Sequence, residues 1–345
     1  MNLPETSLSS ETASARNWSG DHKGLWELAC YLILVAIYLV PVWAFTYFPS
    51  LDGPVHLSIA NALVEFSQPD SAIFQEYYEL NPFPVPNWSI SGILYLLIHF
   101  TDPLTAEKIF LSLYTILAPL SLRYALVAIT RRSAYLYLFT FPLLFHYPLH
   151  LGFYNYSIGI FLMPLIFGYW VRHRDDRGNK VFLTYFALSV FGYFTHLIVL
   201  ATSLIAIGAT TLGRLLGDIH SRRWQSTAIS PLALLRDHLK AWMLRPLIAF
   251  MPSILAGIWA LSLNRPLRSH LAAGEIEPIQ RFTQLIKGSF LVSHDIAELV
   301  VSSSVILILF IVAGIIFFRQ GKHVKATYEF SSVFLCFLLL SLSFS

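Results

Sequence analysis

Between Val181 and Leu216 the chain is apolar, Arg214 excepted. The run is too long for one crossing of a bilayer core about 30 Å thick, given about 1.5 Å of helix per residue. The segment therefore has to turn back on itself. Helices are the way to do so, because lipid offers no partner to backbone polar groups, and barrels use alternating segments rather than unbroken apolar runs. The turn is placed at Gly192-Tyr193-Phe194-Thr195-His196, which gives short helices over 181–195 and 196–213 and leaves His196 at a membrane edge. A second run, Leu25 to Tyr47, carries only one charge, Glu27, and is long enough to span.

Composition extends this to the whole chain. With 56% hydrophobic and 12% charged residues in 345, and a mean hydropathy of +0.61, the chain reads as an all-α polytopic membrane protein. The net charge of +3 is small and its basic residues are scattered through short loops, which speaks against nucleic acid as a partner. Cys30 and Cys336 both fall in apolar runs and supply neither a disulfide framework nor a metal quartet. Residues 1–24 are rich in Ser, Thr and Glu and read as a disordered tail. The 25–47 run is too long for a signal-peptide core and lacks a small-residue cleavage pattern, so it reads as an uncleaved anchor.

About nine spans are expected, at roughly 25–47, 104–129, 134–150, 153–171, 181–195, 196–213, 243–262, 291–318 and 327–345, forming a single domain over 25–345. Trp88 to Phe100 is short and flanked by Pro86 and Pro103, so it reads as interfacial rather than spanning. Basic residues support that choice, because short cytoplasmic loops hold most Lys and Arg. With 88–100 outside the count, the Arg131-Arg132, Arg172–Lys180 and Arg214–Arg245 groups share one side with a cytoplasmic N-terminus. The 48–103 loop is then external, and 51–102 holds six acids and no Lys or Arg. A cytoplasmic loop over 214–242 carries an amphipathic helix at 232–242, and 263–290 forms another external loop.

The external loop opens with Ser50-Leu51-Asp52-Gly53-Pro54-Val55-His56, where the chain leaves the first span. Asp52 and His56 lie one helical turn apart, so both can face one pocket at the lipid boundary, where burial and neighbours retune proton affinity. Val55, Ile59, Ala62 and Phe66 recur at helical spacing, and Pro54 suits a first turn, so an interfacial helix follows. For Asp52 the plain alternative is an N-cap worth about 1 kcal/mol. For His56 it is a satisfied interfacial histidine. Three prolines in Asn81–Asn87 enforce an extended connector.

On this topology His56, His99, His146, His150, His196, His270 and His294 gather at the outer face with Asp52, Asp102, Asp295, Glu298, Arg265 and Arg268. Ionisable groups at membrane depth are costly and mark function. His146 and His150 have metal-like spacing, but Pro148 breaks the helix that would present both rings together, so a hydrogen-bonded pair is favoured over a divalent metal. Asn155, in Gly152-Phe153-Tyr154-Asn155-Tyr156-Ser157, needs partners if buried. Tyr156 reads as a membrane-edge anchor. Arg265 and Arg268 suit bidentate phosphate binding or plain contact with anionic headgroups.

The Phe48–His56 stretch, the Pro-Asn-Trp run with its short helix, the Asp102-Pro103-Leu104-Thr105-Ala106-Glu107-Lys108 lead into a long span, and the fold-back at Phe194-Thr195-His196 together resemble the GT-C superfamily of membrane glycosyltransferases. The likeness covers about the first 215 residues and is nearest to bacterial members with a Gly-Phe-Tyr-Asn-Tyr segment. It implies a GT-C-like core in a bacterial plasma membrane. It also implies a site on the outer face, a polyprenyl-phosphate-linked sugar as donor, and an envelope lipid or glycan as acceptor. The loop-one carboxylate would be the base, a role that maps onto Asp52 alone; the residue chemistry adds His56 beside it, His196, Asn155, His150, Arg265 and Arg268 as substrate-binding residues, and no cofactor. A second acid in loop one is absent, and His56 stands in its place. Two other readings stay open: a transporter or flippase for a lipid-linked anion, and a metal-dependent hydrolase or acyltransferase using His146, His150 and His196.

Overall fold

The computed structural model describes residues 8–66, 68, 72–81, 83–130, 135–223 and 231–263. Among them every regular element is helical, and four helices are long and apolar enough to cross a membrane: Gly24–Ala44, Pro103–Thr130, Leu197–Ile219 and Leu235–Ser262. The protein is an integral membrane protein built from helices. The stretches read as spans at 291–318 and 327–345, and the 263–290 loop, lie outside the described residues.

Helix α1 (Leu8–Ala44) contains the first span. Its helical backbone reaches back to Leu8, into the stretch read as a disordered tail; no proline interrupts residues 8–24, so an established helix extends at little cost. Three short helices follow, α2 (Gly53–Phe66), α3 (Ala72–Tyr77) and α4 (Ser89–Ile98), the last too short to cross, in keeping with its interfacial reading. The long α5 (Pro103–Thr130) comes next.

A span is expected over 134–150, and its described residues, 135–150, depart from one continuous helix. They form a 3₁₀ helix (Tyr135–Leu143) and then the single turn α6 (Tyr147–His150), because Pro142 and Pro148 each remove a ladder donor. Helices α7 (Tyr154–His173), α8 (Asn179–Thr195) and α9 (Leu197–Arg223) complete the fold-back, with the break at His196 where the sequence places it. The stretch read as a separate interfacial helix at 232–242 is instead continuous with the next span. Helix α10 (Pro231–His238) passes through a π turn (Leu239–Met243) into α11 (Leu244–Leu263). The wide turn frees the Trp242 carbonyl, which accepts the Trp170 indole N–H at 3.0 Å.

The bundle is centred on α5 and α7. Gly168 of α7 lies so close to α5 that a Cβ there would stand 2.6 Å from the Ala125 Cα. Helix α1 is tied to α5 at three levels. The Trp43 indole donates to Ser112 at 3.0 Å, the Tyr31 hydroxyl donates to the Ile116 carbonyl at 2.8 Å, and Arg123 pairs with the buried Glu27 at 2.6 Å. The ion pair explains the one charge in the first apolar run: an acid at membrane depth needs a cation.

Charge separates along the bundle. Arg123, Arg172, Arg174, Arg214, Lys240 and Arg245 lie at the end formed by the α7 C-terminus, the α8 N-terminus and the π turn. There Trp242 bonds Asp175 at 3.0 Å and His238 bonds Asp218 at 3.0 Å. At the opposite end Lys108 is the one Lys or Arg among the described residues, against Asp52, Glu65, Glu76, Glu79, Asp102 and Glu107.

Replacing Gly168 by Val forces α5 and α7 apart. The expected cost is about 1–3 kcal/mol, typical of overpacking. It is read as a lower unfolding midpoint in detergent than the wild type and than a Gly92→Val control, whose position has open space around it.

Candidate functional site

The acidic end is assembled by two turns that dock main chain to main chain. The turn after α1 lies against the turn between α6 and α7: the Leu51 N–H donates to the His150 carbonyl at 2.9 Å and the Asp52 N–H to the Leu151 carbonyl at 3.1 Å. Gly152, at φ +84°, makes this approach feasible; a Cβ there would meet the Asp52 nitrogen at 2.6 Å and the Gly53 nitrogen at 2.7 Å. His150 closes the same seam from outside, with Nδ1 2.8 Å from the Pro49 carbonyl and its ring stacked on Phe48 at 5.7 Å.

Asp52 and His56 both stand at this seam, one helical turn apart as their spacing anticipates. Helix α2 starts at Gly53, and the Val55 and His56 N–H groups both donate to the Asp52 main-chain carbonyl, at 3.1 and 3.2 Å. Those donors are satisfied by backbone, and among the described residues the half-buried Asp52 carboxylate has no hydrogen-bond partner. The capping alternative is thus carried by the main chain, leaving the carboxylate available. His56 sets Nε2 3.0 Å from the Gly152 carbonyl and stacks on Tyr154 at 5.5 Å. Burial pushes its pKa below the ordinary histidine value, opposed by the Gly152 carbonyl and by the charge of Asp52.

Beneath this pair lies a polar cluster of Glu107, Tyr154 and Ser50, to which the sequence alone assigns no role. Glu107, four residues into α5, is buried, and the Tyr154 hydroxyl lies 2.6 Å from its Oε1 and 2.8 Å from Ser50 Oγ. With one hydrogen for two partners, Tyr154 donates to the carboxylate, the stronger acceptor, and accepts from the serine. Gly53 sits on top of all three; a Cβ there would stand 2.0 Å from Ser50 Oγ and 2.7 Å from both other oxygens. One sequence signal could have found Glu107: it is an acid just inside a long apolar helix.

The other proposed substrate contacts are spread around this centre. Asn155 is buried and clamps the start of α4: Oδ1 accepts from Ser89 Oγ at 2.7 Å and the Ile90 N–H at 3.0 Å, and Nδ2 donates to the Asn87 carbonyl at 2.8 Å. Its amide is therefore largely committed to structure. Asn87 takes a left-handed φ of 64°, a conformation asparagine tolerates. The Trp88 N–H then donates to the Phe194 carbonyl at 2.7 Å, and Tyr193 donates to the Pro84 carbonyl, so the proline connector is held by the α8 C-terminus. His196 caps α9, accepting the Ile198 N–H on Nδ1 at 3.2 Å, and meets Tyr156 edge to face at 5.6 Å. Arg265 and Arg268 lie outside the described residues.

His146 and His150 do not form the hydrogen-bonded pair expected of them. His146 is buried, caps α6 by accepting the Leu149 N–H on Nδ1, and faces the Tyr114 hydroxyl at 3.3 Å with Nε2, while His150 turns to Pro49 and Phe48. Pro148 directs the two rings into different environments.

From beneath Tyr154 an apolar groove of about 390 Å³ runs down the bundle between α5 and α7. Phe110, packed on Tyr154 at 5.3 Å, stands at its upper end, and Tyr124, with Arg172 5.9 Å away, at its lower end. Fourteen residues of helix separate them, about 21 Å. Leu113, Leu117, Leu120 and Phe191 line the groove and are exposed, so it opens sideways where lipid would lie.

Comparison with known proteins gives no match to a family model, a curated protein or a solved structure. Residue chemistry therefore carries the functional reading.

Two outcomes follow for the site. Gly152→Ala combines a close contact with a strained φ, so it should separate the docked turns and lower the unfolding midpoint while leaving helix content near that of wild type by circular dichroism. His56 makes stability depend on pH. Its pKa is depressed in the folded protein, so the unfolded chain binds the proton first as pH falls below about 6.5. Stability from neutral His56 is complete above that value and declines down to the folded pKa. Thermal unfolding between pH 7.5 and 5 should show a smaller loss for His56→Gln than for wild type.

Proposed function

We propose that the protein is a membrane glycosyltransferase that moves a sugar from a polyprenyl-phosphate carrier to a hydroxyl of an envelope lipid or glycan. The observation that carries this reading is the conjunction of a carboxyl group and an imidazole, Asp52 and His56, with an apolar groove that opens sideways and starts beneath them. A lipid-linked substrate has these two parts, a long hydrocarbon chain and a polar head where the chemistry occurs. The chain fits the groove between α5 and α7, and the head then lies at Asp52 and His56.

The resemblance to the GT-C superfamily adds to this reading and implies a bundle of about nine spans with the site on the outer face. The segregation of basic residues to the opposite end supports a cytoplasmic N-terminus and an external site. A plasma-membrane location in a bacterium belongs to the same reading. In it, Asp52 and His56 do the acid and base work on the acceptor hydroxyl, and Arg265 and Arg268 neutralise the phosphate leaving group. His150 and Asn155 hold the frame of the site, and His196 is assigned to substrate binding. The transfer requires no cofactor.

A transporter or flippase of a lipid-linked anion would use the same groove and acidic end without chemistry. Purified protein in lipid, supplied with radiolabelled polyprenyl-phosphate sugars and a membrane extract, separates the two. Transfer by wild type that falls at least a hundredfold in Asp52→Asn is expected, the scale of losing an acid-base group. Equal binding of the carrier by both proteins with no transfer by either would favour transport.

A further inference from the structure

His56 presents its two nitrogens to different surroundings. Nε2 lies 3.0 Å from the Gly152 carbonyl, an acceptor with no proton to give, so a neutral imidazole bonded there carries its hydrogen on Nε2. Nδ1 then bears the lone pair, and it is buried with no hydrogen-bond partner among the described residues. Buried polar atoms ordinarily have a partner, so an unpaired basic nitrogen here calls for a role. The ring is held by a stack on Tyr154, whose own hydroxyl is fixed by Glu107 and Ser50. Each constraint comes from a different element: the carbonyl from the turn before α7, the stack from α7, and the anchoring carboxylate from α5.

We propose that Nδ1 of His56 is the atom that takes the proton from the acceptor hydroxyl, and that Glu107 is the positioning residue that holds it there through Tyr154. This rests on the glycosyl-transfer reading above and reassigns the base within the pair. In the step, the acceptor O–H bond breaks and its proton passes to Nδ1. The oxygen lone pair forms the new bond to the anomeric carbon. The bond from that carbon to the phosphate oxygen breaks, and its electron pair leaves with the polyprenyl phosphate. The imidazolium that results lies close to Asp52, whose negative charge stabilises it.

The charged and titratable groups around His56 fit this division of labour. Asp52 is on its own turn, Tyr154 faces it from α7, and Glu107 stands behind Tyr154 on α5. Helix α4, packed on α2, brings no charged residue, only Tyr95, and Glu76 on α3 is exposed. Among the described residues Asp52 is thus the one carboxylate that acts on His56 directly, while Glu107 acts through the tyrosine.

The test uses the full chain with ¹⁵N-labelled histidine in lipid nanodiscs, the His56 signals being those lost in His56→Gln. A neutral ring with Nε2 protonated and Nδ1 bare is expected at pH 8. Glu107→Ala and Tyr154→Phe should give a mixture of the two tautomers, and Glu107→Gln, which keeps an acceptor for Tyr154, should restore the single form. With polyprenyl-phosphate sugar and acceptor present, the rate should fall on the acid side at the pH where the His56 signal titrates. His56→Gln should lose at least a hundredfold and its acid limb, and Asp52→Asn should move that limb to lower pH, since the charge of Asp52 raises the His56 pKa. A protonated Nδ1 in an active protein would overturn the assignment of the base while leaving glycosyl transfer intact. So would a fast His56→Gln beside a dead Asp52→Asn. No transfer by wild type, with the tautomer as described, would overturn the glycosyl-transfer reading and the proton step with it.

Discussion

The seam between the Ser50–Gly53 turn and the Leu151–Gly152 turn is the contact on which the acidic end of this protein depends. Two main-chain hydrogen bonds and the left-handed Gly152 bring together stretches of chain about a hundred residues apart. Main-chain contacts this close tolerate no side chain between them, which is why glycine stands at 152, while Gly53 leaves room for the Ser50, Glu107 and Tyr154 oxygens beneath it. Once the seam closes, the Gly152 carbonyl is placed for His56, and Ser50 is placed for Tyr154. Asp52 is left with its carboxylate free of the helix it precedes.

The deeper layer explains why an acid is tolerated inside a membrane helix. Glu107 is buried, yet it receives the Tyr154 hydroxyl, and Tyr154 in turn receives Ser50. A half-satisfied polar network in an apolar setting is worse than none. Here each member has a partner, so the cluster can be rigid, and rigidity at this point is transmitted by the Tyr154 ring to His56 above and to Phe110 and the groove below. Glu27 and Arg123 solve the same problem near the other end by pairing directly.

Much of the helical plan is legible in the sequence. Apolar length fixes the α1, α5, α8 and α9 stretches, and the break at His196 follows because 181–216 exceeds one crossing. The short helices α2 and α4 follow from periodicity and from proline flanks. That residues 135–150 are not one continuous helix is not legible, since hydropathy alone does not register the two ladder donors lost at Pro142 and Pro148. At the site, the four-residue spacing of Asp52 and His56 is visible in the chain. Their partners are not, because the Gly152 carbonyl and Tyr154 belong to another helix and are joined only by tertiary docking. Asn155 was expected to need partners; those it finds are the Asn87 carbonyl, Ser89 and the Ile90 N–H, at the start of α4. A sequence announces a polar residue in an apolar context, and the fold decides whether that residue faces a substrate or its own backbone.

The proposed function requires hydrocarbon in the α5–α7 groove and a phosphate-linked head at Asp52 and His56. A photoreactive polyprenyl phosphate, cross-linked to the protein in nanodiscs and mapped by mass spectrometry, tests it most directly. The account predicts adducts on Phe110 to Leu117 and on Ile158 to Leu165, competed by unlabelled polyprenyl phosphate and not by an equal amount of phospholipid. Adducts on α9 or α11 instead, or labelling that phospholipid competes equally, would contradict it.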